Sequence, residues 1–230
     1  AYAVATDAQG NSYVTGHFQG ASAAFDGHPV VGRGDYDLFV VSYDKDGRFR
    51  WVRTAGGQGY DYGHGVAVDS RGDIIVAGAV VGEATFGDVV VPNVAGAHLF
   101  VAKYHADGAL VWVKVATGKA SGSAHGVVVD GQDNIFIGGL SAGVGAFGAQ
   151  ALSSPKGTSA LVAKLDRDGQ VLWLTQYLGE PSCLFHEIAC DAQGRVWASG
   201  MFKGMAVVGA DTYATTGAKD SDALICHYDT

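Results

Sequence analysis

Glutamate is almost missing from this 230-residue chain, which has 3 Glu (Glu83, Glu180, Glu187) against 20 Asp. Glu suits helix interiors, whereas Asp competes for backbone groups and prefers caps and turns, so the imbalance argues against a helical protein. No stretch carries the 3.6-residue apolar period of an amphipathic helix. Prolines are few, and the 35 glycines follow no three-residue period, which excludes a collagen-like chain. There is no Lys/Arg run and the formal charge is −8, so the phosphate backbone of nucleic acid would be repelled. The longest uncharged stretch, residues 134–155, is broken by glycines and carries Ser141 and Gln150, which argues against membrane insertion. No basic segment precedes an apolar core at the start, so no signal peptide is expected in these residues. Three cysteines (Cys183, Cys190, Cys226) make no complete disulfide framework and leave room for one bridge, with Cys183 and Cys190 as candidates. The nucleophile elbow, P-loop, dinucleotide fingerprint and zinc-protease motif are all absent.

What is present is a folded, strand-rich composition. Apolar residues make up 48% of the chain, too many for a disordered protein. Gly, Asp, Val and aromatic residues are plentiful, which reads as strands joined by tight turns. The decisive feature is self-similarity. The segment AVATDAQGNSYVTG returns as GVAVDSRGDIIVAG, GVVVDGQDNIFIGG and EIACDAQGRVWASG, with Asp7, Asp69, Asp130 and Asp191 spaced 62, 61 and 61 residues apart. A second segment, DLFVVSYDKDGRFRWV, returns as HLFVAKYHADGALVWV and SALVAKLDRDGQVLWL, and a fourth copy begins at DALICHYDT. The repeats run over about 1–63, 64–124, 125–185 and 186–230, the last ending after its third strand.

Each repeat reads as four strands, A to D, typified by Gly65–Val68, Ile74–Ala77, Leu99–Tyr104 and Leu110–Val115. The A–B and C–D connections have the Asp and Gly chemistry of short hairpins. The longer B–C connection carries an apolar mark at Phe25, Phe86, Phe147 and Val208. Strands C and D are apolar on both faces, as in a sheet packed between two neighbours. Repeated four-stranded antiparallel units of this size predict an all-β fold, a single β-propeller over 1–230 with one repeat per blade, alone or within a larger ring or array. The Trp shared by strand D of three repeats (Trp51, Trp112, Trp173) is expected to pack between blades.

The pattern G-x-x-V-D-x-x-G-N-x-Y-V-x-G, followed by D-x-F-V-x-K-Y-D-x-D-G-x-x-x-W, resembles the bacterial β-propeller repeats known as SBBP repeats. The resemblance spans essentially the whole chain and implies an extracellular or cell-surface location. It brings no catalytic motif. The third repeat departs from the pattern at Asp133, where the others have Gly10, Gly72 and Gly194, and at Leu165, where they have Tyr43, Tyr104 and Tyr228.

Four repeated positions carry candidate chemistry. His64, His125 and His186 each lie five residues before the repeated Asp, and Tyr2 takes that place in the first repeat. In propellers strand A lines a central channel, so these four residues are the candidate ligand-binding set at one channel mouth. Zinc needs ligands at ~2.0–2.1 Å, which side chains spread around a wide channel do not meet, so no metal or other cofactor is expected. The repeated Asp residues are read as turn carboxylates that bond backbone N–H groups two residues on. Asp44-x-Asp46-Gly47 and Asp166-x-Asp168-Gly169 resemble calcium loops but lack the further ligands and the Glu such loops require. Arg33-Gly34-Asp35 and Arg71-Gly72-Asp73 spell a tripeptide that some host adhesion receptors read, and chance accounts for both in so Gly- and Asp-rich a chain. Cys183 with His186 lacks an orienting third group, and only Glu180 and Glu187 break the repeat with acids near a His. No catalytic residue is assigned. The expected function is a non-enzymatic extracellular or surface scaffold that binds a protein or glycan partner or its own copies. A carbohydrate-binding propeller is the alternative, since repeated pockets with exposed aromatics suit multivalent glycan binding. A glycan lyase or hydrolase ranks behind both.

Overall fold

A computed structural model of the chain describes residues 1–92, 96–191, 193–217 and 220–228. Among these there are 21 strands and no helix, hence none long and apolar enough to cross a membrane. The protein is all-β.

The turns explain why the strands fall where they do. Asp7 Oδ1 accepts the backbone N–H groups of Gln9 at 2.9 Å and Asn11 at 2.8 Å. Asp69, Asp130 and Asp191 repeat this with the residues two and four further on. The residue closing each turn is left-handed: Gly10, Gly72 and Gly194 have φ of +84°, +81° and +82°. Asp133, the departure in repeat 3, adopts +64° in the same place, and Asp is one of the few side chains that tolerate this region. In the C–D turns, Asp44 Oδ1 and Asp166 Oδ1 accept N–H groups in the same way, so the segments resembling calcium loops are hairpins whose first Asp is engaged with backbone.

The chain divides into two compact units, Ala1–Val115 and Ala116–Thr230, each holding about two repeats. The first contains β1 (Ala3–Thr6), β2 (Ser12–Gln19), β3 (Ser22–Phe25), β4 (His28–Val31), β5 (Tyr36–Tyr43) and β6 (Phe49–Gly57) from repeat 1. From repeat 2 come β7 (Tyr62–Val68), β8 (Ile74–Val81), β9 (Ala84–Phe86), β10 (Val89–Val91), β11 (Ala97–Tyr104) and β12 (Leu110–Val115). Strands A to D of repeat 1 form the antiparallel order β1-β2-β5-β6, and those of repeat 2 the sheet β7-β8-β11-β12. The β9–β10 hairpin of repeat 2 docks on strand D of repeat 1, with Gly57 opposite Ala84. One apolar core joins Tyr13, Leu38, Val40 and Trp51 of repeat 1 to Val66, Val76, Phe86 and Phe100 of repeat 2. Trp51 bridges the repeats as expected of a packing residue: its Nε1 donates to Ala106 O at 2.9 Å, and its ring lies over Gly108.

The second unit contains β13 (Thr117–Gly118), β14 (Ser121–Val129), β15 (Ile135–Phe147), β16 (Gln150–Leu165) and β17 (Val171–Tyr177). These are followed by β18 (Gly179–Cys190), β19 (Val196–Val208), β20 (Asp211–Ala214) and β21 (Ser221–Tyr228). Repeat 3 is the meander β14-β15-β16-β17, and repeat 4 supplies β18, β19 and β21. The docking register recurs 122 residues on, where Gly179 stands opposite Ala206. The core repeats as well, joining Phe136, Ala160 and Val162 to Ile188, Ala198 and Leu224.

Candidate functional site

The repeated histidine has a local backbone cause. The pairing of β7 with β8 shifts register between Gly63 and Gly65, so His64 is the extra residue of a β-bulge. His125 and His186 occupy the same bulge in β14 and β18. A bulge re-aims its extra side chain, which sets these imidazoles apart from the alternation of the strand. Tyr2 lies just ahead of β1, where its N–H donates to Thr15 O at 2.8 Å.

In the first unit, Tyr2 and His64 come together within a larger ring cluster. The Tyr2 ring lies 5.0 Å from His64 and 5.4 Å from His17. His17 is edge-on to Tyr36 at 4.7 Å and to Tyr62 at 5.0 Å. Tyr62 stacks on His64 at 5.5 Å, and Tyr36 lies 5.2 Å from Tyr60. Tyr2 and Tyr60 are about half exposed, while the other four are partly buried. Burial holds the His17 imidazole below its usual pKa and pushes the Tyr62 phenol up, with Tyr2, Tyr36 and Tyr60 adding to the latter. The Nδ1 of His17 is buried without a hydrogen-bond partner. Chemically this is a π-rich, hydroxyl-bearing surface suited to flat apolar or sugar-like faces.

Two buried carboxyls sit behind the cluster. Asp61 N–H donates to Tyr36 O at 3.0 Å, which ties the Tyr60–Tyr62 segment to the start of β5. Asp61 Oδ2 accepts from Gly57 N–H at 2.8 Å and its Oδ1 from Val81 N–H at 2.9 Å. Asp37 Oδ2 accepts from Arg33 N–H at 2.7 Å and Gly34 N–H at 3.3 Å. Both side chains are wholly buried. Between them lies Gly56, at φ +139°, where a Cβ would stand 2.6 Å from Asp61 Oδ2 and 2.8 Å from Asp37 Oδ1. Burial pushes the Asp61 carboxyl up to about 6, and the charge of Asp37 adds to the rise. A cleft of about 640 Å³ opens beside them, lined by Arg33, Gly57, Gln58, Val81 and Glu83 among others.

The second unit has an apolar counterpart. Its cleft, about 340 Å³, is lined at equivalent places by Pro155, Gly179, Glu180 and Met205. Ser159 and Cys183 stand where the first unit has Asp37 and Asp61. His125 and His186 pair here, with ring centroids 5.7 Å apart and planes 20° from parallel. Burial and then the neighbouring His186 hold His125 below its usual pKa, and a hydrogen bond with the Phe185 backbone opposes them. Cys183 is buried while His186 is exposed, and burial pushes the Cys183 thiol up to about 11. A thiol so placed stays protonated at neutral pH, which removes it as a nucleophile. Cys183, Cys190 and Cys226 are all free, so the candidate bridge is not made. Glu180 and Glu187 are exposed. Asp73 of the second tripeptide is nearly buried and paired with Lys103 at 3.3 Å and His105 at 2.9 Å, out of a receptor's reach. Among the described residues, no group of three or more His, Cys, Asp or Glu side chains is placed to hold a metal ion.

Five residues of this arrangement escape a search for recurring positions: His17, Tyr36, Tyr60, Tyr62 and Asp61; Asp37 recurs once, as Asp222 in repeat 4. Their signal is the opposite one, disagreement between repeats. His17 is replaced by Ala79, Leu140 and Met201 in the other repeats, and Tyr36 by Ala97, Thr158 and Ser221. No protein-family model matches the chain, and no curated protein matches it.

Proposed function

We propose that this chain is a non-enzymatic binding scaffold made of propeller-type blades, acting outside the bacterial cell as its SBBP-like repeat pattern suggests. The propeller reading is supported by the four-stranded meanders of repeats 1, 2 and 3 and by the recurring contact between repeats within each unit. The observation that carries the binding role is the ring cluster of Tyr2, His17, Tyr36, Tyr60, Tyr62 and His64. Packing positions are copied from repeat to repeat, whereas most of this cluster occurs in one place only, as a surface shaped for a partner would be. The exposed Tyr2 and Tyr60 favour a glycan over a protein as the partner, because sugar C–H faces stack on open aromatic rings. Asp37 and Asp61 support the non-enzymatic reading, since both are sealed from solvent and three of their four oxygens accept backbone N–H groups.

The test is a glycan array together with immobilised extracellular-matrix proteins, probed with the wild type and with Tyr60→Ala and Tyr2→Ala variants. Binding to one glycan class, weakened about tenfold or more in Tyr60→Ala, is expected. No binding at about 100 μM protein, or binding unchanged in both variants, overturns the proposal.

A further inference from the structure

We infer that a proton held between Asp37 and Asp61 keeps the ring cluster in its binding form, so that this surface takes its partner in acid and releases it toward neutral pH. The inference rests on the binding role proposed for that cluster. Both carboxyls belong to segments that carry the rings: Asp37 follows Tyr36 at the start of β5, and Asp61 stands between Tyr60 and Tyr62. Successive side chains of extended chain point to opposite sides, so each segment turns its carboxyl one way and its rings the other. The backbone ties the two segments together. Tyr36 N–H donates to Gly59 O at 3.3 Å, and Tyr36 O accepts from Asp61 N–H at 3.0 Å. On this frame the Tyr36 ring lies 5.2 Å from Tyr60 and 5.9 Å from Tyr62.

The carboxyl pair is short of one donor. Three of its four oxygens accept backbone N–H groups, whereas Asp37 Oδ1 is buried without a hydrogen-bond partner. Asp37 Oδ1 and Asp61 Oδ2 both crowd Gly56, so closely that a Cβ there would meet each of them. A buried acceptor with no donor is costly, and two carboxylates sealed together repel. One proton on the pair corrects both faults, since it supplies the missing donor and removes one charge.

As the pH rises through about 6 that proton passes to water, leaving two like charges between the segments. Their repulsion draws Tyr36 away from Tyr60 and Tyr62. Among the neighbouring charged groups, Arg33, Asp35 and Glu83 are exposed, where water screens them. The imidazoles of His17 and His64, which contact Tyr62, lose charge as the pH rises, a change of the opposite sense. The Tyr62 phenol is pushed above its usual pKa, so it stays neutral across this range. Tyr2 meets the cluster through His17 and His64.

Two measurements on the full chain test this, comparing the wild type with Asp61→Asn and Asp37→Asn. Each variant removes one charge of the pair while keeping its shape, and either suffices. A glycan array probed at about pH 5 and about pH 7 should show wild-type binding about tenfold weaker at the higher pH, as the protonated fraction falls. The variants should bind equally at both values. Amide exchange at about pH 7 should show Gly57 and Asp61 N–H groups about tenfold less protected in the wild type than in either variant. Wild-type binding equal at both pH values, or a loss that persists in both variants, overturns the inference and leaves the binding role standing. Absence of glycan binding at either pH removes the binding role alone. The amide result then decides the switch, and protection equal to that of the variants overturns it.

Discussion

The same residue in the same repeat position carries different energy in different repeats. Asp191 and Asp69 both cap an A–B turn, but Asp191 does so at the surface with Arg195. Asp69 is buried and also accepts from Lys103 Nζ at 2.7 Å, a contact almost closed to solvent. Removing one partner of a buried ion pair strands the other, at a cost of about 3–5 kcal/mol, whereas an exposed pair contributes little. Asp69→Ala leaves Lys103 paired with Asp73 at 3.3 Å, so chemical denaturation should show it losing less than that full cost, about 2 kcal/mol, and Asp191→Ala only a small part of it. Asp61 gives a pH dependence of definite sign. Its folded carboxyl titrates near 6, above the ordinary carboxylate value of 3.8, so the fold keeps a proton that the unfolded chain has released. Its contribution is fully present below pH 3.8 and is lost as the pH rises through about 6. Against Asp61→Asn, which does not titrate, the wild type should lose relative melting temperature between pH 4 and pH 7. A flat difference across that window would remove the carboxyl as the cause.

At the scale of elements, the hairpin docked on strand D of the preceding repeat decides where the clefts form. The β6–β9 pairing brings Gly57 opposite Ala84, and Gly56 passes between two carboxyls with no room for a side chain. Gly56→Val combines a positive φ with a clash against Asp37 and Asp61, so it should destabilise the first unit by about 3 kcal/mol or more. Amide exchange of β9, which pairs directly with β6, should speed up with it. The A–B and C–D hairpins were legible in the sequence, whereas the docked β9–β10 hairpin lies in what reads only as a longer B–C connection. Asp–Gly turn chemistry is local, and local rules need only a few neighbouring residues. The strand A bulges were not, because a bulge is a mismatch between two strands and neither strand shows it alone. Hence the repeated His could be found by spacing, but its re-aimed side chain only by pairing.

At the scale of the molecule, each unit is organised around the junction between its two repeats. Phe86, from the B–C hairpin of repeat 2, is fully buried in that junction together with residues of repeat 1. Truncating it to Ala should cost about 3–5 kcal/mol, and the loss should appear as shared loosening of repeats 1 and 2. Local fraying of the β9–β10 hairpin alone, with repeat 1 fully protected from exchange, would show that the two repeats are not one cooperative body.

The sequence by itself determined the period, the A–B and C–D hairpins, the all-β class and Trp51 as a residue that packs one repeat on the next, because these follow from copied local chemistry and alternation. It also set out Tyr2, His64, His125 and His186 as a repeated set, although spacing alone could not say which of them meet. Tertiary structure decided that. It joined Tyr2 and His64 to His17, Tyr36, Tyr60 and Tyr62, residues far apart in the repeat pattern, and paired His125 with His186. It also buried Asp37 and Asp61, ordinary acids in a chain full of turn aspartates, on either side of one glycine. The physical reason is that burial and proximity depend on which strands stack, and only the packed sheets settle which side chains lose water together.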